Sequence, residues 1–114
     1  MAAADQGVKV FRELMQAEQY QQIYVTASDE LRSAVSEGEM IKIMSAVNRK
    51  LGKVRTAEKA GWHVNVHTSG RFVTINFKTE FERGTGTEQF VFRISDGKAT
   101  LVRYNVNSSA LLTN

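Results

Sequence analysis

The chain contains no cysteine and no proline. Without cysteine there is no disulfide framework, no thiol nucleophile and no thiolate metal site. A cysteine-free domain is still at home in any redox compartment. Without proline, whose average usage is roughly 5%, every turn has to be made by Gly, Asn, Asp or Ser. No apolar run approaches the length needed to span a membrane. A strong charge of one sign is also missing: 15 basic residues against 12 acidic ones leave a formal charge of +3, spread along the chain. A sequence pI of about 9.4 is therefore weak support for nucleic-acid binding, and no nucleic acid is expected as a partner.

What is present suits one domain. The chain has 114 residues, of which 42% are hydrophobic and 24% charged. A chain of that size buries roughly two-thirds of its unfolded surface, enough for a core without staples. The start, Met1-Ala2-Ala3-Ala4-Asp5, has no signal-peptide core, but Ala-rich residues often flank a cleavage site. An exported domain is expected on that ground, periplasmic or secreted, with Met1 added to a processed start and a lipid anchor before processing as one version. A complete cytoplasmic protein fits the same residues.

The first third reads as helical. Val8, Phe11, Leu14 and Met15 form one apolar stripe over 6–18, and Tyr20, Ile23, Tyr24 and Ala27 continue it into a second short helix. Ser28 is placed as an N-cap, with Asp29 and Glu30 in the first turn that follows and Leu31 and Val35 on the apolar side. The best-marked helix covers 37–51. Ser36 and Glu39 have capping-box spacing, Met40, Ile43, Met44, Val47 and Leu51 supply its buried stripe, and Gly52 is placed to end it.

From Lys53 onward the period becomes two. Trp62, Val64 and Val66 alternate with His63, Asn65 and His67; Val73, Ile75, Phe77 and Phe81 alternate with Thr74, Asn76, Lys78 and Glu80. Turns are expected at Ser69-Gly70, at Gly84-Thr85-Gly86 and at Asp96-Gly97, the last a strong hairpin signal. The expected fold is α+β: one domain over 5–107, with helices (6–51) packed on one face of a four-stranded antiparallel meander (54–107), and a loosely held tail over 108–114.

These turns set Val66 opposite Val73, Val64 opposite Ile75 and Trp62 opposite Phe77, all beneath the helices. They also set Phe77 opposite Phe92, Phe81 opposite Glu88, Phe90 opposite Arg103 and Glu88 opposite Asn105. Thr79, Phe81, Glu88, Arg103 and Asn105 then share one end of the helix-covered face, where Glu88 and Arg103 are close enough to pair. Read structurally, this is an ion pair at the rim of the core. Read functionally, it is the floor of a pocket in which Arg103 receives an anion, Glu88 is an acid or base, and Tyr20 or Tyr24 donates a hydrogen bond. On the opposite face Val91, Val102, Tyr104 and Val106 form an apolar patch suited to a homodimer.

Other motifs carry little chemistry. Four strand residues span roughly 13 Å, so His63 and His67 on one strand cannot chelate one metal ion, and no metal or cofactor is expected. Strands, not helices, follow Ser69-Gly70 and Gly84-Thr85-Gly86, which removes the nucleophile-elbow and phosphate-loop readings. Glu80 and Glu82 lie on the outer face without enclosing walls. Arg49, Lys50, Lys53, Arg55 and Lys59 form a basic cluster read as a solvated helix end, with weak contact to an anionic surface as the minor reading.

Several stretches, in order, carry a family resemblance: Gln19-Tyr20, Ile23-Tyr24 and Ala27-Ser28; Arg49 through Arg55; Gly70, Val73 to Phe77 and Phe81-Glu82; Glu88-Gln89-Phe90; and Leu101 to Tyr104. In these the chain resembles an uncharacterised bacterial family, domain of unknown function 4019. The resemblance implies a small exported domain similar to the cystatin-like and nuclear-transport-factor-2-like cone folds, and carries over no catalytic residue. The expected function is a non-enzymatic exported domain that binds a protein partner or small ligand; the alternative is a small enzyme with its pocket between helices and sheet.

Overall fold

Chain order is helices first, sheet second. A computed structural model describes residues 2–68 and 70–111. Helix α1 is Ala2–Gln16, α2 Tyr20–Val25, α3 Asp29–Ala34 and α4 Glu37–Leu51; strands β1 Val54–His67, β2 Gly70–Phe81, β3 Gly84–Ser95 and β4 Lys98–Asn107 follow, then a 3₁₀ turn, Ser109–Leu111. The strands form one antiparallel sheet in the order β1-β2-β3-β4, and the helices cover part of one face. The fold is α+β, a helical layer on a four-stranded meander.

The local signals act where the sequence puts them. Ser28 Oγ accepts from Leu31 N (3.3 Å) and Ser36 Oγ from Glu39 N (3.2 Å), so each hydroxyl satisfies an orphan donor of the first helical turn. Gly52 follows α4 at φ +79°, a conformation costly for a residue with a Cβ. Val8, Phe11 and Met15 bury the α1 stripe, and Met40, Met44, Val47 and Leu51 bury that of α4. Ile43 departs from its expected place and is half exposed.

Side-chain alternation survives through β2 and β3 and along Trp62 to His67, but the pairing is displaced. Trp62 faces Ile75 and Val64 faces Val73. His67 pairs with Gly70, which makes Gly70 the first residue of β2; Ser69 of the expected turn lies outside the described residues. The next turn is Glu82-Arg83, and both Gly84 and Gly86 belong to β3. Phe77 consequently faces Glu88, and Ile75 faces Phe90. Three long-range bonds fix this turn: Glu82 N to Lys53 O, Arg83 N to Leu51 O (each 2.9 Å), and Lys53 N to the Glu82 carboxylate (2.8 Å). Gly86 serves close approach, because a Cβ there would stand 2.7 Å from Asn107 O. Asp96-Gly97 forms its hairpin with both residues at positive φ (52° and 74°), as a type I′ turn requires.

One irregularity changes the faces of β4. Phe92 pairs with Leu101 as expected, but Val91 pairs with Arg103, leaving Val102 as the extra residue of a bulge. Beyond it every side chain changes sides. Tyr104 and Val106 turn in with Phe90 and Glu88, while Arg103 and Asn105 turn out. The expected Val91, Val102, Tyr104 and Val106 patch therefore does not form: Val91 and Val102 remain on the outer face, where they line a shallow depression with Arg103, His67 and Phe72.

Coverage also differs from expectation at β1. Trp62 is 62% exposed and Val66 77%, although they share a face with buried Ile75 and Val73. Helix α1 lies over β3 and β4, and this half of β1 reaches past it. Nearer the helix, Lys59 Nζ meets Asp5 Oδ1 at 2.8 Å. The start of the tail is held: Ser108 is buried and donates to Thr85 O (2.6 Å), and Lys50 Nζ donates to Leu111 O (3.1 Å). Residues 112–114 lie outside the described residues.

Candidate functional site

The aromatic centre of the core positions the site. Phe90 is fully buried; Phe11 and Phe77 meet it edge-on, with centroids 5.1 and 5.8 Å away, and Tyr104 tilts against it at 4.9 Å. Two residues before Phe90 on β3, Glu88 points to the same face and is 2% exposed. A buried carboxylate needs compensation from donors. Arg12 supplies it, with Nη2 3.0 Å from Oε1 and Nη1 3.4 Å from Oε2. Thr79 Oγ1 donates to Oε1 and Tyr104 Oη to Oε2, each at 2.6 Å. The guanidinium also lies over the rings of Phe77 (5.1 Å) and Phe90 (5.5 Å), so it is paired and stacked together.

Thr79 and Glu88 meet on one face, as the alternation of the strands predicts; Phe81 pairs with Gly84, not with Glu88, because the turn is displaced, and it reaches the site as a wall of the adjoining cavity. Arg103 and Asn105 do not, because the bulge at Val102 places them on the outer face, and Tyr104 takes the inward position instead. The partner of Glu88 is Arg12. A signal for it exists in the sequence: positions 8, 11, 12 and 15 share one helical face, so Arg12 is a charge on an otherwise apolar stripe. Tyr24 is engaged elsewhere, donating to Val35 O (2.9 Å) and Arg32 O (3.2 Å) to staple α2 to α3. The Tyr20 hydroxyl accepts from Asn48 Nδ2 (2.8 Å), and the same amide donates to Met15 O at the end of α1. Tyr20 therefore borders a neighbouring cleft.

Burial, the charge of Glu88 and the hydrogen bond donated to it push the Tyr104 phenol well above its usual value, with Arg12 opposing weakly. A raised pKa stabilises the fold fully below the unfolded phenol's value of about 10, and that contribution fades as the pH climbs above it. Urea midpoints of the wild type should therefore fall more steeply above about pH 10 than those of Tyr104→Phe. Parallel alkaline limbs for the two proteins would contradict the assignment.

A cavity of about 180 Å³ opens beside this network, between the second half of α1, the end of α4 and the sheet. Phe11, Met15, Val47, Val54 and Phe81 are its apolar walls; Arg12, Glu88 and Tyr104 lie at its floor. Gln16, Asn48, Gly52 and Lys53 border the opening and also line the adjoining polar cleft. His63 and His67 are far from it on the exposed outer face, where His63 Nε2 lies 2.9 Å from Asn65 Oδ1. Among the described residues no three His, Cys, Asp or Glu side chains cluster as metal ligands.

The model of one family, described as protein of unknown function DUF4019, matches residues 8–104. The chain belongs to the DUF4019 family. The match runs from the α1 stripe to Tyr104 and so spans every element of the Glu88 network. No curated protein matches this DUF4019 chain. Among solved structures, an NTF2-like protein from Cytophaga hutchinsonii ATCC 33406 is similar at 17% identity and a TM-score of 0.46, over 90% of this chain and 97% of that one.

Proposed function

We propose that this DUF4019 protein is a non-enzymatic binding domain whose ligand is a small, mainly apolar molecule held in the cavity beside Glu88. The carrying observation is the combination of apolar walls with a polar floor that is already satisfied: both Glu88 oxygens accept bonds from Arg12, Thr79 or Tyr104. A general acid or base needs a carboxyl free to exchange a proton with substrate. Glu88 is instead tied to a guanidinium and two hydroxyls, which favours binding over the enzyme alternative. An apolar cavity of about 150 Å³ takes up benzene, so a volume of about 180 Å³ suits an alkyl or aryl group of similar size.

Toluene and hexanamide are suitable neutral probes, followed by NMR of the backbone amides. The expected result is saturable shifts around Met15, Val47 and Phe81, with affinity about tenfold weaker in a folded Val47→Phe variant, a loss of about 1.4 kcal/mol. No binding of either probe, or equal binding by Val47→Phe, would contradict the reading.

A further inference from the structure

The cleft adjoining the cavity has a different chemistry from the cavity itself. It measures about 450 Å³ and is lined by the cations Arg49, Lys53 and Arg83 and by the acids Glu18 and Glu82. The two spaces share Gln16, Asn48, Gly52 and Lys53, so they lie side by side at the end of α4. Gly52 lets the Glu82 and Arg83 side chains pack against the shared border: a Cβ there would stand 2.6 Å from Glu82 Oε1 and 2.8 Å from Arg83 Nη1.

The charges are unequally engaged. Glu82 accepts the Lys53 N–H at 2.8 Å. That bond above all, with the nearby charges of Arg83, Lys53 and Arg55 behind it, holds its carboxyl below the usual range, against desolvation, which is second in size and raises it. Arg83 Nη1 donates to Arg49 O at 3.2 Å. By contrast, among the described residues neither the Lys53 ammonium nor the Arg49 guanidinium makes a side-chain hydrogen bond or ion pair, and both side chains are exposed at the cleft. Three cations against two carboxylates leave one positive charge over, which suits a singly charged head group better than a doubly charged one.

We infer that the ligand is an amphiphilic monocarboxylate, its apolar tail in the cavity beside Glu88 and its carboxylate in the Arg49/Lys53/Arg83 cleft. This rests on the apolar-cavity reading and adds the chemistry of the head. Arg12 is not the anion receptor, because its charge is already matched by the Glu88 carboxylate, which two of its N–H groups hold. The carboxylate instead sits at the mouth, where water remains and the cost of desolvating it is small. Attraction of this kind is screened by salt.

Calorimetric titration with hexanoate, hexanamide and hexyl phosphate separates the outcomes. The expected result is hexanoate binding about tenfold tighter than hexanamide, a preference that shrinks with added salt and falls to near parity in the Lys53→Gln/Arg49→Gln variant. Hexanamide binding as well as hexanoate would overturn the carboxylate inference and leave the apolar cavity standing. A hexanoate preference that the double variant retains would also overturn it. Hexyl phosphate binding more tightly than hexanoate would overturn the choice of a singly charged head. Failure of all three ligands to bind would overturn the carboxylate inference, and with toluene also unbound the apolar-cavity reading falls as well.

Discussion

Glu88→Ala is expected to destabilise the protein by about 3–5 kcal/mol, the usual cost of removing one partner of a buried ion pair. The loss comes less from the missing attraction than from what is left behind. Arg12 keeps its charge between Phe77 and Phe90 without a counter-ion, and the Thr79 and Tyr104 hydroxyls lose their acceptor. Unpaired buried donors cost about 1–3 kcal/mol each, although water entering from the adjoining cavity relieves part of this. Glu88→Gln keeps the shape and one carbonyl acceptor, so its cost should be smaller, about 2–3 kcal/mol. Urea denaturation with a constant slope measures both. A Glu88→Ala midpoint equal to that of the wild type would show that the carboxylate is not held in this network.

The second large effect is expected at Phe90. Its ring is fully buried and touches Phe11, Phe77, Phe92 and Tyr104 while carrying one side of the Arg12 stack. Phe90→Ala removes a buried aromatic side chain at a site where four rings meet, and such truncations cost about 3–5 kcal/mol. Net stabilities are about 5–15 kcal/mol, so the variant should be partly unfolded or close to it at ambient temperature. Circular dichroism and urea unfolding check this. A loss below about 1 kcal/mol would mean that the site collapses freely or that Phe90 is not central.

Features with a local cause are the ones that sequence reasoning recovers. Ser28, Ser36 and Gly52 act within one helical turn, and their caps are found in place. The Asp96-Gly97 hairpin is equally local, since the positive φ values it needs are a property of those two residues. Which side chains share a face of β2 and β3 is also legible, because a displacement by an even number of residues preserves alternation. The exact pairing is not legible. Glu82-Arg83 has no turn-forming side chains, and it bends there because Leu51 and Lys53, about thirty residues earlier, receive and donate the bonds that fix it.

The bulge at Val102 had no marker either, since no glycine stands there, and it alone exchanges Arg103 for Tyr104 in the site. Trp62 and Val66 show a different gap: alternation assigns a face but cannot say how far the helical layer extends over it. Arg12 was readable as a charge on a buried stripe, but only the sheet register shows which carboxylate it meets.

Two double-mutant cycles test the central claim, that the bulge gives Glu88 to Arg12 and turns Arg103 away. One combines Arg12→Met with Glu88→Gln, the other Arg103→Met with Glu88→Gln, each followed by urea unfolding. The network predicts a coupling of about 2 kcal/mol for the first and less than about 0.5 kcal/mol for the second. A strong Arg103–Glu88 coupling with a negligible Arg12–Glu88 coupling would contradict it.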